Sequence, residues 1–236
     1  MVEWFTSSET DEPGAGAESY LGISPSSADT DEFDRTAPQA FLVRYPASRG
    51  PLRVHWHPVS QFQYFVSGDA RFGTHDIRPG TVHYSDPGTP YGPLTPHDDR
   101  VCFLTLRASN NRGAEYMPEA QARLGEQRGL EPDGALHRNV TAALHTIEPG
   151  IVASGDDGMQ IEVIDLDADQ SISIDPGVSG AYVVVVRGAI VDDDGVVRGD
   201  PVSLCFLARP DSVVAAPSGA RLAVLRFPVR ALSSVS

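Results

Sequence analysis

Residues 53–68 read RVHWHPVSQFQYFVSG. Val54, Trp56, Phe62, Tyr64, Phe65 and Val66 are strand formers, and Gly68 ends the run. Successive side chains of a strand point to opposite faces, so His55 and His57 share one face. Gln61 follows a bend at Pro58, on a strand that carries Gln63 and Phe65 with the same parity. By that parity Arg53, Gln63 and Phe65 stand on the side of the two histidines. A third imidazole, His83, follows the turn Arg78-Pro79-Gly80 in the segment TVHYS. Folded side by side, these segments would bring three imidazoles and one amide oxygen together. Imidazole nitrogen is the commonest protein ligand for Zn, Fe, Ni and Cu.

The rest of the chain reads as strands as well. From Ala40 the segments AFLVRY, LRVHWH, QFQYFV, ARFGTHDI, TVHYS and VCFLTL recur between turns rich in Gly, Pro, Asp and Ser. Close-set strands without intervening helices predict an antiparallel sandwich or barrel. One helix is expected over residues 117–127, with Pro118 in its first turn. A second β block follows: MQIEVIDL, SISID, AYVVVV, SLCFLA, SVVAA and RLAVLRF. Gly68 and Gly188 close two such strands 120 residues apart, and RVCFLTLR at Arg100 and RLAVLRFP at Arg221 start 121 apart. Two landmarks at nearly one offset point to two copies of one β unit. The expected divisions are an acidic arm (1–38), a first barrel (39–110), a helix and linker (111–158) and a second barrel (159–236). Residues 6 to about 36 read as an acidic tail, or as an arm that packs through Trp4, Phe5 and Tyr20.

Composition excludes some functions. The 236 residues carry a net charge of −14, and every basic residue other than histidine is arginine. Without lysine there is no Schiff-base chemistry. An acidic surface repels nucleic acid and anionic membrane, so neither is an expected partner. No apolar run reaches the length of about 18 residues that a spanning helix needs. The N-terminus lacks the basic and apolar regions of a secretory signal, so a cytoplasmic location is expected. Cys102 and Cys205 lie in apolar runs and are expected as buried thiols.

The spacing His-x-His, three residues, Gln61, six residues, Gly68, and then Pro-Gly-x-x-His83, resembles the two motifs of the cupin superfamily. Gln61 stands where that family usually has Glu, Pro79 abuts Gly80, and Pro87 stands where Asn is usual. The resemblance implies an all-β protein of two tandem cupin-type jelly-roll barrels with a short helix and connecting segment between them. It implies one divalent transition metal held by His55, His57, Gln61 and His83, with Fe(II) favoured and Zn, Ni, Mn or Cu as alternatives. Glutamine in place of glutamate leaves the site more positive by one charge, which favours an anionic substrate group. Shifting by the repeat places Asp175, Gly177, Ala181 and Leu204 at the ligand positions, so the second barrel is expected to be degenerate.

Around the metal, Tyr91 in the loop DPGTPYGP and His75 are the candidates to move a proton, and Arg53, Gln63 and Phe65 to bind substrate. Tyr84 should face away from His83 and pack. The expected function is a metal-dependent enzyme on a small anionic or polyoxygenated molecule, with a dioxygenase-type reaction first. The alternatives are an isomerase or lyase on a sugar or acid, and a non-catalytic small-ligand binder. A homodimer is expected by the resemblance.

Overall fold

The computed structural model describes residues 4–6, 17–21, 37–111, 113–131, 134–192, 194–199 and 203–229. In the N-terminal half the strands are β1 (Trp4–Thr6), β2 (Ala17–Leu21), β3 (Gln39–Pro46), β4 (His55–Trp56), β5 (Gln61–Ser67), β6 (Ala70–Phe72), β7 (His75–Ile77), β8 (Thr81–Ser85), β9 (Leu94–Pro96), β10 (Arg100–Arg107) and β11 (Glu115–Tyr116). The helix α1 (Gln121–Gly129) follows. After it come β12 (Asn139–Ala143), β13 (Gly150–Ser154), β14 (Gln160–Leu166), β15 (Ser171–Ile174), β16 (Ala181–Val191), β17 (Val197–Gly199), β18 (Ser203–Leu207) and β19 (Asp211–Arg226). No helix among the described residues is long and apolar enough to cross a membrane.

The chain divides into two compact units, one within residues 14–142 and the other within 1–13 and 143–231. These bounds differ from those expected. The segment expected as a linker is shared between the two units, and each takes one strand from the expected tail: β1 pairs with β18, and β2 with β3. The side chains expected to anchor the arm lie outside the described residues.

In the first unit a six-stranded antiparallel sheet runs β12-β8-β5-β10-β3-β2. Two small sheets, β7-β6-β9 and β11-β4, complete it. Phe65, Val101 and Phe103 from the large sheet pack with Ala70, Phe72, Ile77 and Leu94 from the small one, forming the apolar floor of a jelly roll. The opposite face of the large sheet is also apolar and buried: Leu42, Phe62, Tyr64, Val82, Tyr84, Leu104 and Leu106. Strands buried on both faces read as apolar runs, which is why QFQYFV does not alternate cleanly.

The second unit has the same sheet order, β1-β18-β16-β19-β14-β13, with β15 on β19 and β17 on β16. Gly68 and Gly188 sit at corresponding bends, with φ of 77° and 78°. A Cβ there would lie 2.2 Å from the Arg100 carbonyl oxygen and 2.3 Å from that of Gly219. Only glycine fits such a left-handed position against a backbone.

The helix starts later than expected. Residues 117–120 form a turn closed by Ala120 N–H donating to the Tyr116 carbonyl and Gln121 N–H to that of Pro118, so Pro118 lies outside the first helical turn. Leu124 and Ala120 pack on Trp56, the residue between His55 and His57. Burial of one such leucine stabilises by about 1.5–3 kcal/mol. The alternation of the strand then turns both histidines inward.

Candidate functional site

One end of the first barrel is polar, and its strand register explains why. On β5 and β8, Gln61 pairs with Ser85 and Gln63 with His83. On β10, Thr105 lies opposite Gln63, and on β3 Gln39 lies opposite Arg107. One inward face therefore collects Gln61, Gln63, His83, Ser85, Thr105, Arg107 and Gln39, all buried. The segment 86–93 runs back along His55 and His57. Tyr91 and His55 exchange backbone hydrogen bonds, and Gly88 N–H donates to the His57 carbonyl. Arg138 holds this loop, with its Nε donating to Asp86 Oδ2 at 2.7 Å and a second nitrogen to Oδ1 at 3.0 Å. Tyr84 faces the other way and donates to Asp86 Oδ1 at 2.6 Å, so it is a packing residue as expected.

Tyr91 is buried. Pairing with His55 carries its ring inside, where centroids lie 4.5 Å from His55, 6.2 Å from His57 and 5.4 Å from His83. Each imidazole is oriented through Nδ1. In His55 it lies 2.8 Å from the Arg53 carbonyl, and in His57 2.8 Å from that of Gly113. A carbonyl only accepts, so in His55 Nδ1 carries the proton and Nε2 keeps a lone pair. In His83, Nδ1 lies 2.9 Å from Thr141 Oγ1, and the buried Nε2 has no partner. A proton on Nε2 would be an orphaned donor, so it belongs on Nδ1. Burial is the first cause holding all three pKa values down. In His83 the value falls to about 3, and in His57 the Arg107 charge adds to the effect. All three are neutral at physiological pH, the state a metal requires.

Arg107 is the residue that sequence reading missed. Its Nε donates to Gln61 Oε1 at 2.8 Å, and another nitrogen to Gln39 Oε1 at 2.7 Å. Its remaining terminal nitrogen lies 3.4 Å from both ring nitrogens of His57, as for a group over the ring instead of one aimed at a lone pair. Gln61 is thus committed: its oxygen faces Arg107, and its nitrogen donates to Tyr91 Oη at 2.6 Å. This removes Gln61 from the expected ligand set. Asn111 was missed as well. Its amide nitrogen donates to the Gly113 carbonyl and lies 2.6 Å from His57 Nδ1.

Other expected members fall elsewhere. Arg53 is exposed, pairs with Glu119, donates to the Met117 carbonyl at 2.6 Å and lies 5.7 Å from the Tyr116 ring centroid. It precedes β4, so strand parity does not extend to it, and it is not a substrate clamp within the barrel. His75 stands opposite Phe72 at the turn end of the β6–β7 hairpin, where it is exposed and not enclosed in the barrel. Phe65 belongs to the apolar floor. Gln63 lies where parity put it, and its buried Oε1 has no partner.

The donor set fits a divalent ion in kind: three neutral imidazoles, each held at Nδ1, with the Nε2 of His83 without a partner. Among the described residues, no three His, Cys, Asp or Glu side chains, these three histidines included, are grouped so as to hold a metal ion between them.

No protein-family model matches this sequence, and no curated protein does. Solved structures do. The nickel(II) complex of the bacterial pirin YhhW from Escherichia coli is 13% identical, with a TM-score of 0.54 over 97% of this chain and 100% of that one. A candidate dioxygenase from Nostoc punctiforme is 9% identical, with a TM-score of 0.59 over 100% of this chain and 85% of that one. The fold is the all-β cupin jelly roll.

Proposed function

We propose that the first unit is a divalent-metal cupin site for a small anionic or polyoxygenated molecule, with His55, His57 and His83 as ligands through Nε2. The observation that carries this reading is the buried, unpartnered Nε2 of His83, in a barrel end where the other two imidazoles are anchored in the same way. An orphaned buried nitrogen is costly, and an ion or ligand satisfies it. The nickel of the structurally similar pirin supports a divalent ion in this fold. The Nostoc protein supports an oxygenase as the finer reaction, with Fe(II) as the metal, ahead of an isomerase or lyase. The metal would supply Lewis-acid polarisation of a bound oxygen. The chain's own residues supply the rest. Arg107 offers a fixed positive charge to an anion, Tyr91 holds a proton, and Phe65, Phe72 and Phe103 exclude water from below. The second unit is read as a degenerate barrel, and the whole as a cytoplasmic homodimer.

A second reading, a non-catalytic binder of small anions, is favoured by the buried Arg107 guanidinium against His57, since a fixed cation disfavours a second cation nearby. Metal analysis of untagged protein separates the two. About one metal per chain, lost in His57→Ala and in His83→Ala while the fold is kept, supports the metal site. Oxygen uptake on a panel of small carboxylic acids then supports the oxygenase, and turnover without it supports the isomerase or lyase. Protein that takes up no Fe(II), Ni(II), Mn(II), Cu(II) or Zn(II) on dialysis overturns the metal site and leaves the binder.

A further inference from the structure

The hydrogen bonds at the polar end of the first barrel run in one direction. Arginine has only donors, so the Gln61 oxygen must be the atom facing Arg107 Nε. That settles the orientation of an amide whose oxygen and nitrogen are otherwise interchangeable. Gln61 Nε2 therefore faces Tyr91 and donates to its oxygen at 2.6 Å. The Tyr91 oxygen is an acceptor in this bond, and its own proton must point away from Gln61. No bond donated by that hydroxyl is found among the described residues. Two other buried atoms nearby lack partners, Gln63 Oε1 and His83 Nε2, on residues that face each other across β5 and β8. A buried donor with no acceptor, close to a guanidinium, suits an oxyanion, while the two unpartnered acceptors suit a donor group or cation bound with it.

We propose that Arg107 and Gln61 are positioning residues that turn the Tyr91 hydroxyl proton toward a bound oxyanion, making Tyr91 the hydrogen-bond donor of a small-anion subsite. The inference deepens the reading of this barrel as a site for a small anion and rests on it. It also gives glutamine at position 61 a purpose. A glutamate there would accept from both Arg107 and the Tyr91 hydroxyl and so withdraw the proton from the ligand.

The test is a double-mutant cycle on chelator-treated full-length protein, with acetate as the probe and binding read by calorimetry and by the Arg107 Nε–H resonance. Tyr91→Phe weakens acetate binding roughly tenfold or more, the loss expected for one hydrogen bond to a charged group. Gln61→Glu weakens it through both the withdrawn proton and the added charge. In the Tyr91→Phe background only the charge effect remains, so Gln61→Glu costs roughly tenfold less there. Additive effects overturn the inference, as does undiminished binding in Tyr91→Phe, which removes one oxygen and can be made whether or not Gln61→Glu folds. Absence of saturable acetate binding to the wild type also overturns it. Metal content, measured on the same preparations before chelation, reports separately on the metal reading.

Discussion

Three neutral imidazoles buried in one barrel make the metal-free protein sensitive to mild acid. His83 shows the size of the effect. Its pKa is about 3 in the folded protein against 6.5 when unfolded. A depressed histidine pKa means that the unfolded chain binds the proton first, so stability is present above pH 6.5 and is lost as pH falls below it. At pH 5 the unfolded histidine gains about 1.5 pH units of protonation free energy that the folded one does not, which is about 2 kcal/mol at 1.36 kcal/mol per unit. For a chain of this length, that lowers Tm by roughly 4–8 °C between pH 7.5 and 5. His55 and His57 are shifted in the same direction and add to the loss. The depressed carboxylates Asp165 and Asp192 act only at lower pH, where protonation of the unfolded chain costs stability in its turn. Calorimetry of chelator-treated protein across this range, compared with His83→Gln, isolates the single-residue share. The variant should lose 4–8 °C less than the wild type. Parallel Tm profiles for the two proteins would refute the reasoning, because they would mean that His83 already shares its proton with solvent or with a partner.

Two further outcomes follow from the same geometry. Thr141→Val removes the acceptor that holds His83 Nδ1 at 2.9 Å, and metal affinity should fall about 10–100-fold by competition titration with little change in fold. Gly68→Ala and Gly188→Ala each drive a Cβ to within 2.2–2.3 Å of a backbone oxygen at positive φ. Each should cost at least about 2 kcal/mol, seen as a lower urea midpoint, and equal midpoints for wild type and either variant would mean that the bend can open.

Much of this site is legible in the sequence because period-two alternation is strict within a strand. His55, His57, Gln61, Gln63 and His83 all face inward, as parity requires. Parity fails where strands end. Arg53 precedes β4 and points to solvent, while His75 is exposed at the turn end of a hairpin. Arg107 had a signal that went unused: Phe103, Thr105 and Arg107 alternate inward along β10, and an arginine in such a series is buried. Asn111 had none, since its contact with His57 depends on a strap whose return pairing, Tyr116 opposite His55, no local pattern encodes. In the second unit the offset of 120 or 121 residues put Leu204 in place of His83. The structure puts Cys205 there, because Val183, the counterpart of Gln63, pairs with Cys205. A slip of one residue exchanges the faces of a strand, and Cys205 is the one that lies in the inner core.

That corrected register bears on what Arg107 is for. Gln39 lies opposite Arg107, and Gln160 lies opposite Arg226 at the corresponding place in the second unit. The same bond joins both pairs, at 2.7 Å and 2.5 Å. The arginine–glutamine pair therefore belongs to the frame of each unit, and its presence alone argues for no activity. The difference lies in what surrounds it. In the second unit Gln61, Gln63, His83 and Ser85 are replaced by Ala181, Val183, Cys205 and Leu207, an apolar face, and Arg226 is answered by Glu162 at 2.7 Å. That unit keeps the same pair without imidazoles, with Arg226 only half-buried and answered by a carboxylate, so the pair itself does not require the imidazoles. Keeping three imidazoles and two amides buried in the first unit leaves Gln63 Oε1 and His83 Nε2 without partners, at roughly 1–3 kcal/mol for each unsatisfied group. A barrel that could have taken the apolar solution and instead holds these two acceptors unpaired needs a partner that donates to them or coordinates them, and a bound cation or the protonated group of a ligand at that end does so.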